Sequence, residues 1–344
     1  MKTNNFKQPL FFSMTFQFLE VFLPEQMGRS FHTVESLRDT LSIFRRYINE
    51  KLNMKIDNFT FEMCNRDCIF GFLDYLKEKK NSPSTINHRL AGIKTYLHYA
   101  SDVNVALESV SLEVKRVYPL KERKREKEIL SVDDCSCIFS QPAHTKIGLR
   151  DRTFMILLYE TACRVSELLN LKVEQLHHLE GDTPFIHVIG KGNKERYIAI
   201  TKSTAGHIVQ YLSVFHPNDA LKDTLLFYTT IKRISNAMST RNVERFISEY
   251  ATMARKKRPL IPLRVHPHMF RRSKATALYQ NGTPLPLVSS FLGHAQLETT
   301  RVYARPSIEM LRTAIESVET PEQRLEKPLW KGKEEELAKM CGLR

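Results

Sequence analysis

The sequence predicts a mainly α-helical protein with one small β-hairpin or sheet, divided into a four-helix first domain and a larger mixed α/β second domain. Three observations predict it. Apolar residues recur at three- and four-residue spacing along most of the chain. Its 344 residues exceed what one core usually organises. Between the two periodic regions, Lys115–Glu128 carries seven basic and three acidic residues with almost no apolar periodicity, and Pro119 in its middle opposes a continuous helix. This stretch reads as a linker (115–128). It separates a domain over 1–114 from one over 129–318, and a tail follows over 319–344.

Four amphipathic segments precede the linker: Leu10–Leu23, Thr33–Lys51, Asn65–Lys79 and Ser84–Tyr99, with Thr33 and Ser84 placed to cap helix starts. Gln17 and Glu20 interrupt the first on a helical period and no small-residue cleavage pattern follows, so it reads as a core helix rather than a signal peptide. After the linker, Ser131-Val-Asp-Asp134 looks like a helix start and Leu149–Glu160 like a buried helix. Phe185–Ile189 and Arg196–Ile200 are rich in strand formers and flank Gly190-Lys-Gly-Asn-Lys194, which predicts a hairpin. Helices return at Thr204–Val214, Ser239–Lys256, Pro267–Asn281, Pro284–Leu292 and Thr299–Val318. Beyond Val318, Pro321 and Pro328 interrupt the chain before Trp330, the only tryptophan, and a short helix over Lys331–Met340.

Fifty-two Lys+Arg against 38 Asp+Glu give a formal charge of +14, which favours a polyanionic partner such as nucleic acid or an anionic membrane surface. Apolar runs such as Phe154–Tyr159 fall far short of the roughly 20 residues that a spanning helix needs, so no membrane is expected. The six cysteines include no CxxC, and without a secretory signal they read as reduced intracellular thiols. A cytoplasmic, nucleoid-associated protein without a metal site is the resulting expectation.

The chemistry concentrates late in the chain. His268-Met-Phe-Arg271, Leu292-Gly-His294 and Tyr303 place two imidazoles, a guanidinium and a phenol within a short span. Arginine grips phosphodiester oxygens through a planar fork, histidine moves protons near neutral pH, and a tyrosine hydroxyl can attack phosphorus. His268 and Arg271, three apart at a helix start, share one face, where the helix N-terminus adds positive potential.

These segments, with Thr161-Ala-Cys-Arg164-Val-Ser-Glu-Leu168 and the hairpin Ile189-Gly-Lys191-Gly-Asn-Lys-Glu-Arg196, resemble the tyrosine recombinase (integrase) family, most nearly its Xer-type and transposon-encoded members. The motifs run in the family's order from Ser131 to Ile315, and the helical first domain is similar to the family's SAM-like core-binding domain. The resemblance implies site-specific breakage and rejoining of double-stranded DNA through a 3′-phosphotyrosine, with no metal or nucleotide cofactor. It implies Tyr303 as nucleophile, Arg164 and Arg271 as clamps on the phosphate, and His268 assisting deprotonation of the tyrosine. His294 would hydrogen-bond the phosphate. Lys191 would be the general acid, with Lys194 as the competing lysine. Glu167 is expected to position its neighbours, although a surface ion pair with Glu160 or Glu167 is the bland reading of Arg164. Tyr279, inside the His268 helix, is expected only to pack.

For DNA contact the candidates are Arg45, Arg46, Arg89 and Lys94 in the first domain, and Arg241, Asn242 and Arg245 in the first turns of the Ser239 helix. Arg255-Lys-Lys-Arg258 reads as phosphate contact or loop charge, and Arg272 and Lys274 as DNA-backbone or structural residues. The resemblance also implies self-assembly to a synaptic tetramer on DNA, with the C-terminal tail docking into a neighbouring protomer. The physiological role is expected to be integration or excision of a mobile element. An Xer-like resolvase of chromosome or plasmid dimers, a topoisomerase-like nicking and closing enzyme and a non-catalytic DNA-binding protein are the alternatives. Because the helical pattern begins by about Leu10, no separate N-terminal arm-binding domain is expected.

Overall fold

A computed structural model describes residues 9–122, 128–190, 194–217, 223–231, 234–294, 296–320 and 332–343. The chain forms two compact units, Met1–Glu126 and Lys127–Arg344.

The first unit opens with a 3-10 turn, Phe11–Met14, and a π-helix, Gln17–Gln26, in place of the single α-helix expected over Leu10–Leu23. Pro24 lies within the π-helix and has no N–H to give to a regular ladder. The helices are α1 (Phe31–Leu52), α2 (Arg66–Glu78), α3 (Pro83–Val103) and a shorter α4 (Glu108–Lys115) that periodicity did not predict. Asn65 caps α2 by accepting the Cys68 N–H. Ser82, not Ser84, caps α3, because Pro83 occupies the first helical position. The core is aromatic: Phe11, Phe44, Phe59, Phe61, Phe72 and Tyr96 are fully buried, and the Tyr96 hydroxyl donates to the Phe11 carbonyl at 2.5 Å.

Part of the expected linker is ordered against this core. Val117 is buried, and Asn87 of α3 clamps Leu120 with two bonds, donating to its carbonyl at 2.9 Å and accepting its N–H at 2.7 Å. Residues 123–127 lie outside the described residues.

The second unit begins at α5 (Val132–Phe139), started by a reciprocal Ser131–Asp134 capping box. Then come α6 (Lys146–Thr161), α7 (Val165–Leu169), β1 (Leu176–His177), β2 (Phe185–Ile189), β3 (Glu195–Ala199) and α8 (Lys202–Phe215). After β4 (Tyr228–Ile231) and β5 (Ile234–Ala237) come α9 (Thr240–Arg255), α10 (Pro267–Gln280), α11 (Leu285–Leu292), α12 (Glu298–Arg301), α13 (Ile308–Ser317) and α14 (Glu334–Met340). Strands β1, β2 and β3 form one antiparallel sheet in that order, with Val188 opposite Arg196. Helix α6 is the buried spine: its Phe154, Leu157 and Leu158 share one core with Ile186, Ile198, Ile208, Phe246 and Phe270.

The second unit departs from the sequence reading most clearly in its sheet and in its last helices. The antiparallel β4–β5 pair was not foreseen. Its strands have four residues each, too few for a period of two to stand out. More consequentially, the helix expected over Thr299–Val318 is broken. Pro306 cannot donate to a helical ladder and disfavours helical backbone at Arg305, and Ser307 starts α13 afresh by accepting the Met310 N–H. Tyr303 therefore sits in the connection between α12 and α13, not on a long helix.

Candidate active site

Helix α6 ends at Ala162, whose left-handed backbone (φ 47°) turns the chain sharply into Cys163 and Arg164. Arg164 precedes α7 in extended conformation. Its N–H donates to Glu167 Oε2 at 2.9 Å and its Nη1 to Oε1 at 2.7 Å. The ion pair with Glu167 is thus present, yet the Arg164 side chain remains 38% exposed against 4% for Glu167. Glu160, the other candidate partner, pairs instead with Lys274 at 2.9 Å.

A second guanidinium reaches the same carboxylate: Arg196 of β3 donates through Nη2 to Glu167 Oε2 at 2.8 Å. Burial pushes the Glu167 carboxyl up, but hydrogen bonds from Arg196 and the Arg164 backbone outweigh it and hold the group below the usual carboxylate range. The Arg164 and Arg196 guanidinium groups, paired with this carboxylate, also repel that of Arg271, while Glu167 attracts it.

Arg271 lies on α10 and is only 1% exposed. Its Nη1 donates to the Ala162 carbonyl at 2.5 Å, and its Nη2 donates to the Leu292 carbonyl at 2.7 Å and to His294 Nε2 at 3.0 Å. One side chain thereby ties together the end of α6, the end of α11 and the residue that follows. Because a guanidinium only donates, His294 Nε2 is the bare nitrogen, and Nδ1 carries the hydrogen donated to Thr300 Oγ1 at 2.8 Å. Burial, then the charges of Arg271, Arg164 and His268, push the His294 pKa down to about 4.

The ring of Tyr303, 6% exposed, packs with Ala162, Ala275, Val288 and Leu292, and stacks on His294 with centroids 6.0 Å apart. Gly293 turns the chain from α11 into His294 beside Arg196. Its φ is +66°, and a Cβ there would meet Arg196 Cδ and Nη1 at 3.2 Å.

The structure therefore brings Arg164, Glu167, Arg271, His294 and Tyr303 together. His268 is exposed near the start of α10, one turn before Arg271. Lys191 lies outside the described residues, while Lys194 is exposed and its carbonyl accepts the Gly190 N–H at 2.7 Å. Tyr279 is half-buried within α10. The sequence reading missed Arg196 and Thr300 as supports. Their signals are present, one in β3 at the base of the hairpin and one six residues after His294, but a pattern search for catalytic types passes over both.

Among the DNA-contact candidates, Arg45 and Arg46 are exposed on α1 and line a pocket with Asn49, Met54, Lys55, Ile56 and Asp57. Arg241 is exposed at the start of α9, and Arg245 donates to Asn242 and Glu249. Two candidates are turned inward instead. Arg89 donates to the Ser36 carbonyl and the Thr40 hydroxyl of α1, and Lys94 donates to the carbonyls of Lys115 and Val117 at the end of α4. Arg89 thereby ties α3 to α1, and Lys94 ties α3 to the carbonyls that end α4. Arg255 likewise braces the carbonyls of residues 261–263, Arg258 pairs with Asp134, and Arg272 donates to the Glu128 carbonyl.

The helical first unit, the hairpin and this tyrosine, histidine and arginine cluster define a tyrosine recombinase. Residues 128–310 match the model of the phage integrase family, and residues 14–111 that of the phage integrase SAM-like domain; the chain belongs to the phage integrase family. It is 30% identical to the tyrosine recombinase XerC of Staphylococcus haemolyticus over 284 residues, covering 82% of this chain and 89% of the relative. It is 27% identical to the tyrosine recombinase XerD of Oceanobacillus iheyensis over 296 residues, covering 86% and 95%. In fold it is similar to the Tn1549 transposon integrase in complex with transposon right end DNA, with a TM-score of 0.64 at 16% identity, over 87% of this chain and 98% of that one. Among the described residues no helix is long and apolar enough to cross a membrane.

The depressed His294 pKa carries a prediction. Between about 4 and the ordinary histidine value of about 6.5, the unfolded chain binds the proton that the folded site refuses. Stability contributed by this group is therefore complete above that window and falls as pH drops through it. The unfolding midpoint in urea is expected to decline from pH 7 to pH 4.5 more steeply for the wild type than for His294→Asn; parallel declines would refute the assignment.

Proposed function

We propose that Tyr303 Oη attacks the scissile phosphate of a recombination site, forming a tyrosyl–phosphorus bond as the bond to the 5′ oxygen breaks. Arg164 and Arg271 neutralise the nonbridging oxygens, His268 assists removal of the tyrosine proton, and His294 hydrogen-bonds the phosphate by turning its Nδ1–H from Thr300 Oγ1 to a nonbridging oxygen. Lys191 gives a proton to the departing 5′ oxygen, leaving a 5′ hydroxyl and a 3′-phosphotyrosine. Attack by a 5′ hydroxyl from another strand reverses the step, so the bond energy is kept. The observation that carries this reading is the Tyr303 ring against His294, whose Nε2 meets Arg271. A nicked suicide substrate, from which the 5′ strand diffuses away, is expected to trap a detergent-resistant protein–DNA adduct with the wild type. The absence of an adduct on cognate DNA would overturn the mechanism.

For the biological outcome we propose integration or excision of a mobile element, as the sequence resemblance suggests. Resolution of chromosome or plasmid dimers is the second reading, favoured by the coverage of the XerC and XerD relatives. Deleting the gene separates them: loss of circular element junctions supports the first, and accumulation of replicon dimers the second.

Assembly on DNA is proposed to run through the C-terminal region. Helix α13 exposes Ile308, Leu311 and Ile315 on one face, and α14 exposes Met340. Trp330, the expected anchor, lies outside the described residues. Truncation after Val318 is expected to leave binding to one site intact but to abolish paired-site complexes in native gels. Unchanged pairing would remove the tail from assembly.

A further inference from the structure

We propose that Arg196 is a positioning residue for cleavage, holding Glu167, and through it the Arg164 guanidinium, in the geometry that clamps phosphate. The inference rests on the reading of Arg164 as a clamp. It starts from an interlock of three separate segments. Glu167 accepts from the Arg164 backbone and side chain and from Arg196 Nη2, so one carboxylate fixes both arginines. Arg196 Nη2 also lies 3.5 Å from the Cys163 sulfur, directly before Arg164. A Cβ on Gly293, the residue before His294, would meet its Cδ and Nη1 at 3.2 Å. At the base of the hairpin, a Cβ on Gly190 would meet Glu167 Oε1 at 3.2 Å and Arg196 Nη1 at 3.3 Å. The guanidinium of Arg196 therefore occupies the joint between the α6–α7 turn, the β2–β3 hairpin and the turn after α11.

Arg196 is bound into the protein: its Nη2 is spent on Glu167 and the Cys163 sulfur, and its side chain is 12% exposed where Arg164, on the same carboxylate, is 38% exposed. As a purely stabilising device it is costly, because its buried Nε has no hydrogen-bond partner among the described residues, and a buried ion pair is often replaceable by apolar packing. What the arrangement supplies is orientation. Without Arg196, Glu167 keeps the Arg164 backbone N–H but loses the second guanidinium that fixes its Oε2, so the direction in which Oε1 holds the Arg164 side chain is less tightly set.

The test uses single-turnover cleavage of suicide substrates at saturating DNA, by the wild type, R164A, R196Q and R196K. One substrate carries an ordinary scissile phosphodiester and the other an uncharged methylphosphonate, which has no nonbridging charge for an arginine clamp to neutralise. On the diester, R196Q is expected to cleave about 10- to 100-fold more slowly than wild type, with the Kd for DNA changed less than about threefold. On the methylphosphonate the deficit is expected to shrink to about threefold or less, as it is for R164A. If R196Q shows no cooperative unfolding transition, R196K, which keeps the cation but not the fork, is read in its place with the same pattern at smaller amplitude. Equal slowing on both substrates, or no slowing on the diester, while R164A is relieved, overturns the proposal and leaves the clamp standing. An R164A variant that the methylphosphonate fails to relieve overturns the clamp and the proposal with it.

Discussion

Tyr303→Phe is expected to form no covalent adduct with a nicked cognate site while binding that site within about twofold of wild type. The substitution removes one oxygen and little else. The ring is buried against Ala162, Ala275, Val288 and Leu292 and stacked on His294, contacts that phenylalanine keeps, so neither the fold nor the arginine cluster has reason to shift. Loss of a covalent nucleophile costs on the order of 10⁴-fold or more in rate, since no second group takes over bond formation. The half-buried Tyr279 is the other phenol on this side of the sequence motif, held within α10. Adduct yield on denaturing gels and affinity at one fixed salt concentration are the two measurements, because phosphate contacts make affinity meaningless without the salt. An adduct of equal yield from the variant would end the case for Tyr303, and mapping it to Tyr279 would name its replacement.

The site was more legible than its supports. His268, Arg271, His294 and Tyr303 stand out because their chemistry is rare at such spacing, and Arg164 followed from the resemblance of its segment, Thr161–Leu168, to the tyrosine recombinase family. Arg196 did not, because a charged residue at the foot of a hairpin looks like solubility until the fold places it against Glu167. The same blindness acted in reverse on Arg89 and Lys94. Their periodic position on α3 suggested an outward basic face, but long side chains can bury their stems and deliver the cation to backbone carbonyls, a choice that periodicity does not record. Helix existence was read well from spacing, and helix ends less well. Ser82 rather than Ser84 begins α3 because Pro83 sets the boundary, and Pro306 divides the expected last helix of the domain. That second break matters for function, because it moves Tyr303 from a helical face into a connection whose shape depends on Thr300 and His294.

Arg271→Lys is expected to slow cleavage about 10²- to 10³-fold and, unlike the equivalent change at Arg164, to destabilise the second unit as well. The two arginines have similar proposed roles but opposite environments. Arg164 is 38% exposed and leans on a carboxylate, so Arg164→Lys should lower the rate with little change in the unfolding midpoint. Arg271 is 1% exposed, and burial followed by repulsion from Arg164 already lowers its pKa, though a guanidinium stays charged. It is tolerated there because its fork reaches the carbonyls of Ala162 and Leu292 and the bare nitrogen of His294 at once. An ammonium group has no planar fork with which to reproduce those directions. At least one of these buried acceptors would lose its partner, at a cost of about 1–3 kcal/mol, and His294 would lose the contact that fixes its ring beside Tyr303. Urea unfolding and single-turnover cleavage, measured on both lysine variants, separate the two cases. Equal midpoints for Arg164→Lys and Arg271→Lys would show that Arg271 does not brace the turn, and near-normal cleavage by Arg271→Lys would show that a point charge suffices where a fork is argued.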